Sequence, residues 1–341
     1  MSVLVTGGLG YIGSHTVVQL IESGYKVIII DNLYNSTLKT FDNIKLITAA
    51  TLKKNPERIP LFYNADCRNL TEIVSAIESH TIHSIIHFAA YKAVSESISH
   101  PLLYYQNNLI STMNILTVAQ TFQIPNFIFS SSCTVYSNPA PVPIQETSPT
   151  GGNLTNVYAK TKFMCETIIN DFHVVNPTIN VINLRYFNPI GNHPSGILGD
   201  DPSGIPNNLI PYIQKVLTGE LPLLNIYGSD YNTPDGTGMR DFIHVLDLAD
   251  AHIQSIEYST RHSNVQLSLN VGTGKAYSVL DIVSELSKAS GTNIKYRLCD
   301  RRVGDLAIMF CDPSHIQETL HWKAKFTLED MCRDIVSFVN N

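Results

Sequence analysis

Thr6-Gly7-Gly8-Leu9-Gly10-Tyr11-Ile12-Gly13 is the stretch that decides the fold of this chain. The apolar run Val3-Leu4-Val5 leads into it, and the helical pattern Tyr11–Ser23 leads out. A strand therefore runs into a helix through a glycine turn. Gly7, Gly10 and Gly13 permit a tight turn and a close backbone approach to a pyrophosphate, and the helix N-terminus supplies N–H donors and a positive dipole end. Asp31 closes a second apolar run, Val27–Ile30. It lies about 20 residues past the glycines, where a carboxylate accepts hydrogen bonds from an adenosine ribose.

Working outward, apolar strands alternate with amphipathic stretches up to about residue 190. The predicted strands are Val3–Val5, Val27–Ile30, Leu61–Asn64, Ile82–Ala90, Asn126–Ser132 and Ile179–Asn188. Helical spacing is read at Leu70, Ile73 and Ile77, over Leu102–Phe122 and over Tyr158–Phe172. This alternation predicts an α/β fold, a Rossmann-type doubly wound parallel sheet covered by helices on both faces. After residue 190 the texture changes, with Pro189, Pro194, Pro202, Pro206 and Pro211 interrupting the periodicity. Helical segments at Ile210–Leu217 and Val279–Ala289, with short strands, predict a smaller C-terminal α/β substrate domain. The expected division is 1–188 and 189–341, with a segment near 240–262, entered by a helix starting at Asp247, returning to the first domain.

Composition narrows the function classes. The chain has 341 residues and a formal charge of −6, with an isoelectric point near 6.0; no basic surface for nucleic acid is expected. Charged residues make up 15 % of the chain, below the usual ~25 %, as suits a large buried fraction or an oligomer interface. Six cysteines stand without a CxxC pair and read as ordinary reduced thiols, with no metal site expected. No signal-like leader and no apolar run near ~18 residues is seen, so the expectation is a cytoplasmic enzyme with no membrane contact.

Tyr158-Ala-Lys-Thr-Lys162 places a tyrosine and a lysine at i and i+4, on one helical face. Ser132 ends a predicted strand, at the sheet edge where doubly wound folds bind ligands. A free tyrosine is only about 0.1 % phenolate at pH 7. A lysine ammonium and a cationic nicotinamide both favour the phenolate. Tyr158 could then take a proton from a carbinol while hydride leaves for the nicotinamide, with Ser132 bonded to the substrate oxygen and Lys162 supplying the charge.

Longer motifs accompany these residues: FAAYKAV at 88–94, SSSCTVY at 130–136, RYFNPIG at 185–191, GIPNNLIPY at 204–212, DGTGMRDFIHVLDLA at 235–249, and Arg301-Arg302-Val-Gly-Asp305. Together with the glycine turn they make the chain resemble the UDP-galactose 4-epimerase (UDP-glucose 4-epimerase) family of the extended short-chain dehydrogenase/reductases, over essentially its whole length. The resemblance implies bound NAD as a transient hydride acceptor, a 4-keto sugar that turns over within the site, and a UDP-hexose substrate. It also implies a homodimer through the helices around Leu102–Phe122 and Tyr158–Phe172.

By position, the resemblance assigns Gly7, Gly10, Tyr11, Ile12, Gly13, Asp31, Asn32, Asn35, Ser36, Asp66, Cys67, Phe88, Ala89, Lys92, Asn107 and Ser130 to the cofactor, with Tyr158, Lys162, Tyr186 and Phe187 near the nicotinamide. Asp31 favours NAD over NADP, because a 2′-phosphate beside a carboxylate is repelled. To the substrate it assigns Ser132, Tyr158, Asn188, Asn208, Leu209 and Asn225. Tyr227 falls where the family packs on uracil, Arg240 and Arg302 where it pairs the diphosphate, and Asp305 where it binds the uridine ribose. Met309 falls on the gate for the sugar's C2 substituent. Its intermediate size and flexibility leave N-acetylhexosamines open as further substrates.

The chain departs from the family pattern at Cys67, Ala90, Cys133 and Ser137, each a small change in bulk. A sugar-nucleotide 4,6-dehydratase would need an Asp-Glu pair after the strand-end serine, where this chain has Cys133-Thr134. A 4-reductase exchanging NADP, and a non-enzymatic nucleotide sensor, are disfavoured by Asp31 and by the intact Tyr158–Lys162 pair respectively.

Overall fold

The computed structural model describes residues 1–202, 206, 208–302 and 304–341. Gly204, Ile205 and Asn207 of the GIPNNLIPY motif, and Val303, lie outside them. The chain divides into two compact units, one of Met1–Asn138, Pro149–Arg185 and Ala249–Leu269, the other of Pro139–Ser148, Tyr186–Leu248 and Asn270–Asn341.

In chain order the first half carries β1 (Ser2–Thr6), α1 (Tyr11–Glu22), β2 (Lys26–Asp31), α2 (Leu38–Ile47), α3 (Ala49–Lys54), β3 (Leu61–Asn64), α4 (Leu70–Ile77), β4 (Ser84–His87), α5 (Val94–Ser99), α6 (Pro101–Thr121), β5 (Asn126–Ser132), α7 (Val157–Val175) and β6 (Asn180–Tyr186). The rest carries β7 (Asn188–Ile190), α8 (Leu209–Leu217), β8 (Leu224–Tyr227), β9 (Met239–His244), α9 (Val245–Arg261), β10 (Gln266–Val271), β11 (Ala276–Ser278), α10 (Val279–Ser290), β12 (Tyr296–Cys299), β13 (Ile308–Met309), α11 (Ser314–Leu320) and α12 (Leu328–Val339).

The main sheet has the order β10-β6-β5-β4-β1-β2-β3. The pairings of β1 with β2 and β4, of β2 with β3 and of β4 with β5 are parallel. Val3, Leu4 and Val5 are completely buried, as are Ile85, Ile86 and Phe127. That is the signature of strands covered on both faces, and it explains why they read as unbroken apolar runs. The order reverses at β1: β2 and β3 lie to one side and β4, β5 and β6 to the other. Doubly wound sheets bind ligands at such a switch point, beyond the carboxyl ends of the strands.

The second unit packs α8, α10 and α12 around Ile210, Ile213, Phe242, Ile282, Leu286, Met331 and Ile335. Its small sheet runs β11-β9-β13, with β7 also paired to β9. Capping boxes at Ser278 and Thr327 start α10 and α12, each satisfying two backbone donors at the helix entrance. All six cysteines are free.

Several boundaries differ from the sequence reading. The strand expected over Ile82–Ala90 is only Ser84–His87, because the chain leaves the sheet at Phe88 and Ala89 to pass against Gly7. The strand expected over Ile179–Asn188 is two: β6 ends at Tyr186 and β7 begins at Asn188, paired with β9. The 94–99 helix was not foreseen. The helix expected to start at Asp247 begins at Val245; Asp247 instead accepts hydrogen bonds from the backbone N–H groups of Lys325 and Phe326, each at 3.0 Å.

Candidate active site

The glycine turn is built by backbone contact. Gly7 has φ +68°, and a Cβ there would lie 2.8 Å from the Ala89 nitrogen; one on Gly13 would lie 2.2 Å from the Gly7 carbonyl oxygen. Only glycine lets the turn, the loop after β4 and the first turn of α1 pack this closely. Gly10 is the N-cap of α1 and has no side-chain oxygen to offer, and no acid lies in the first turn of the helix. The first turn of the helix thus brings no acid of its own to its N–H donors, as suits an anion site.

Asp31 is buried at the end of β2. It accepts the Leu9 N–H at 3.0 Å, the Leu33 N–H at 2.9 Å and the Ser36 hydroxyl at 2.9 Å. A carboxylate has about four acceptor sites, so capacity for a ribose hydroxyl remains. Beside it, Asp66 accepts from the Asn32 amide at 3.2 Å and from Arg68 at 2.6 Å. The Arg68 hydrogen bonds hold its carboxyl well below the ordinary range, at about 2. Cys67 is buried, and burial raises its thiol pKa. Phe88 packs against His252, the rings tilted by 50° with centroids 4.7 Å apart, a partner the sequence reading did not include. Lys92 lies over the Tyr11 ring at 5.7 Å, Asn107 is buried, and Asn32 and Asn35 are exposed. A bare helix entrance, two glycines with no room for a Cβ and a carboxylate with spare acceptor capacity fit a dinucleotide.

Ser132, Tyr158 and Lys162 converge at the end of β5 and the start of α7. The Asn156 side chain caps α7 by accepting the Ala159 N–H at 2.8 Å, which sets the phase of the helix. Ser132 bonds to the Tyr158 hydroxyl. Thr134, also outside the sequence reading, donates to Ser132 Oγ twice, from its N–H at 3.2 Å and its hydroxyl at 3.0 Å. These two contacts fix the Ser132 hydroxyl beside Tyr158, and because the Thr134 hydroxyl can also accept, Ser132 keeps room to take a proton as well as give one. Lys162 Nζ donates to the Ser130 carbonyl and lies 6.0 Å from the centre of the Tyr158 ring.

Burial dominates the proton affinities of the pair. Burial pushes the Tyr158 hydroxyl up to about 12, and the Ser132 hydrogen bond offsets only part of that. Burial pulls Lys162 down to about 8, against Cys165 and Glu166, which raise it. The dry pocket that shields the pair also penalises the phenolate, so the lysine alone does not generate it.

In the second unit, Tyr227, Arg302 and Asp305 come together. The Arg302 guanidinium lies 4.8 Å from the centre of the half-exposed Tyr227 ring, and its Nε donates to Asp305 at 3.1 Å. The Asn225 side-chain amide oxygen accepts from Arg297 Nε at 2.6 Å. Met309 pairs in register with Arg240 across β13 and β9; Arg240 donates to the Met239 carbonyl at 2.8 Å. Asn208 is the exposed N-cap residue of α8 with no side-chain cap bond, and Leu209 opens the helix. Tyr186 and Phe187 are buried, and Asn188 is half-buried at the start of β7.

The family model described as GDP-mannose 4,6 dehydratase matches residues 4–335. The UDP-glucose 4-epimerase of Dictyostelium discoideum is 46 % identical over 334 residues, 97 % of this chain and 94 % of that protein. Among solved structures, UDP-glucose 4-epimerase from Bifidobacterium longum in complex with NAD+ and UDP is 42 % identical, with a TM-score of 0.93 over 100 % of this chain and 98 % of that one. The Stenotrophomonas maltophila enzyme, with NAD and formylated UDP-arabinopyranose bound, is 38 % identical with a TM-score of 0.94, covering 100 % and 98 %.

Proposed function

Because the chain belongs to the UDP-glucose 4-epimerase family, we propose that it interconverts UDP-glucose and UDP-galactose by epimerisation at C4, with NAD as its cofactor. The single observation that carries the chemistry is the Ser132–Tyr158–Lys162 cluster, set in the same unit as a glycine turn shaped for a dinucleotide.

NAD, when bound, supplies a hydride acceptor that returns what it takes, so the cycle is redox-neutral through a 4-keto sugar, together with a positive charge that favours the Tyr158 phenolate. Tyr158 takes the O4 proton and later gives it back. Ser132, oriented by Thr134, bonds the sugar O4 and passes its proton on to Tyr158. Lys162 keeps an ammonium near the phenolate. Asp31 binds the adenosine ribose, and the α1 N-terminus takes the pyrophosphate. Tyr227 stacks on the uracil, Asp305 binds its ribose, and Arg240 and Arg302 pair the diphosphate.

The test is proton NMR of the purified protein with UDP-galactose and no added cofactor. A stable UDP-glucose/UDP-galactose mixture is expected. No conversion, even with NAD added, would overturn the reading, and a 4-keto-6-deoxy product would mean dehydration. That second outcome is disfavoured by Cys133-Thr134, which follow Ser132 where a dehydratase carries its acid and base. A second arm uses UDP-N-acetylglucosamine. Met309 is a flexible side chain at the position that gates the C2 substituent, and slower but measurable conversion is expected.

We place the enzyme in the cytoplasm; among the described residues no helix is long and apolar enough to cross a membrane. A homodimer is the assembly we propose. Leu102, Ile110 and Met113 on α6, and Met164, Val174 and Val175 on α7, are exposed apolar residues on two neighbouring helices. Sedimentation should give twice the 37.8 kDa chain mass; a monomer at micromolar concentration would refute the dimer.

A further inference from the structure

Three consecutive serines at the end of β5 meet three successive turns of α7. Ser132 bonds to Tyr158, the Ser130 carbonyl accepts Lys162 Nζ, and the Ser131 hydroxyl donates to Glu166. Tyr158, Lys162 and Glu166 stand at i, i+4 and i+8, one stripe of the helix. The third turn is itself held from β6. Arg185 grips Glu166 through two bonds, Nε at 3.0 Å and a terminal nitrogen at 2.7 Å, and its other terminal nitrogen donates to the Tyr136 hydroxyl at 3.0 Å. The guanidinium also lies 4.9 Å from the centre of the Tyr136 ring. Glu166 and Arg185 are both buried.

We propose that Glu166 is a positioning residue for the epimerisation: clamped between Ser131 and Arg185, its carboxylate fixes the register in which α7 presents Tyr158 and Lys162 to the strand-end serines. The inference rests on the reading of Tyr158 and Lys162 as the reacting pair. A bidentate Arg–carboxylate fork constrains both distance and plane, which one hydrogen bond does not. Breaking such a buried pair from one side leaves the other charge uncompensated, so the geometry is enforced rather than merely permitted.

Glu166 has a second effect, through charge. Burial lowers the Lys162 pKa, while Cys165 and Glu166 oppose it. The other ionisable groups around α7 are few. His87 on β4 is fully buried and held to about 3, by burial and then by Lys162 itself, so it stays neutral. Cys133 and Tyr136 follow β5. Glu96 on α5 and Tyr104 on α6 bond each other at 2.7 Å. Arg185 is the nearby cation, and its neutral balance with Glu166 depends on the carboxylate. Without that carboxylate, Lys162 loses its proton at lower pH.

The test is the pH–rate profile of Glu166→Gln, purified with its bound nucleotide, beside the double variant Glu166→Gln/Arg185→Met and beside Tyr158→Phe. Glu166→Gln should lower kcat at pH 7 by on the order of 10-fold or more, leave the KM for UDP-galactose within about threefold, and move the alkaline limb to lower pH. The double variant removes both charges together, so it should regain thermal stability and bring the limb back toward its wild-type position, while kcat stays low because Gln and Met cannot hold the register. A double variant with the wild-type kcat would show that the pair serves stability alone and would overturn the proposal, provided Tyr158→Phe is inactive. If Tyr158→Phe turned over normally, the reading of the reacting pair would fail instead.

Discussion

Replacing Tyr158 by Phe should lower kcat by about 10²–10⁴-fold, the range spanned by removing a general acid–base group, while the KM for UDP-galactose changes little. The hydroxyl is buried and meets Ser132, and the ring lies beside the Lys162 ammonium. Phenylalanine keeps the ring and its packing and removes only the atom that carries the proton. The Ser132 hydroxyl then loses one partner, at a stability cost of about 1 kcal/mol. A stability loss that small does not unfold a domain of this size, so a fall in turnover would report chemistry. Steady-state kinetics from pH 6 to 9, with a thermal melt of each preparation, separate the two effects. A variant within tenfold of wild type would mean that another group takes the O4 proton. In the wild type, turnover should fall as pH rises past about 8, where the buried Lys162 gives up its charge.

Gly13→Ala is expected to be the most damaging single-methyl change in the nucleotide turn. Its Cβ would sit 2.2 Å from the Gly7 carbonyl oxygen and 2.9 Å from the Gly8 Cα. Both obstacles are backbone, so no side chain can swing aside. Either the first turn of α1 moves away from the glycine loop or the loop opens, and each change spoils the N–H cradle for the pyrophosphate. Overpacking of this kind costs about 3 kcal/mol, and the purified variant should carry little NAD. Gly10→Ala is the control, since its Cβ would meet the Gly7 oxygen at 3.3 Å, a contact that a small shift relieves. Ultraviolet absorbance of the nucleotide released by acid, and the melting midpoint, should rank wild type above Gly10→Ala and Gly10→Ala well above Gly13→Ala. Equal NAD content in the two variants would show that the close approach at Gly13 does not shape the site.

Most of the main sheet was legible because its strands are buried on both faces and its turns carry unusual residues. Where legibility failed, a contact between distant segments was responsible. No glycine or proline near Phe88 marks an end to the strand expected over Ile82–Ala90, yet it ends at His87, where the loop after β4 passes the backbone of Gly7. Nothing before Asn188 announces a new strand, yet β7 pairs with β9 more than fifty residues ahead in the chain. Pro139–Ser148 belongs with the second unit while its flanks belong with the first. Ile144 bridges to Cys311 there, a pairing that no local pattern encodes. Thr134 stood in view within SSSCTVY, but its part in fixing the Ser132 hydroxyl follows only from two hydrogen bonds.

By itself, the sequence determined whatever depends on neighbours along the chain. The glycine spacing, the acid that ends β2 and the four-residue step from Tyr158 to Lys162 are written in the local sequence, and so are the glycine turn and the stripe of the helix that carries Tyr158 and Lys162. Only the tertiary structure decided which groups surround that stripe. Ser131, Glu166 and Arg185 are far apart in sequence, and helical phase says which residues share a face but not which strand that face meets. It also decided the proton affinities. The same Tyr–Lys spacing on an exposed helix would leave both groups near their ordinary values, whereas here burial drives Tyr158 up and Lys162 down, because the cost of charge depends on the surrounding dielectric.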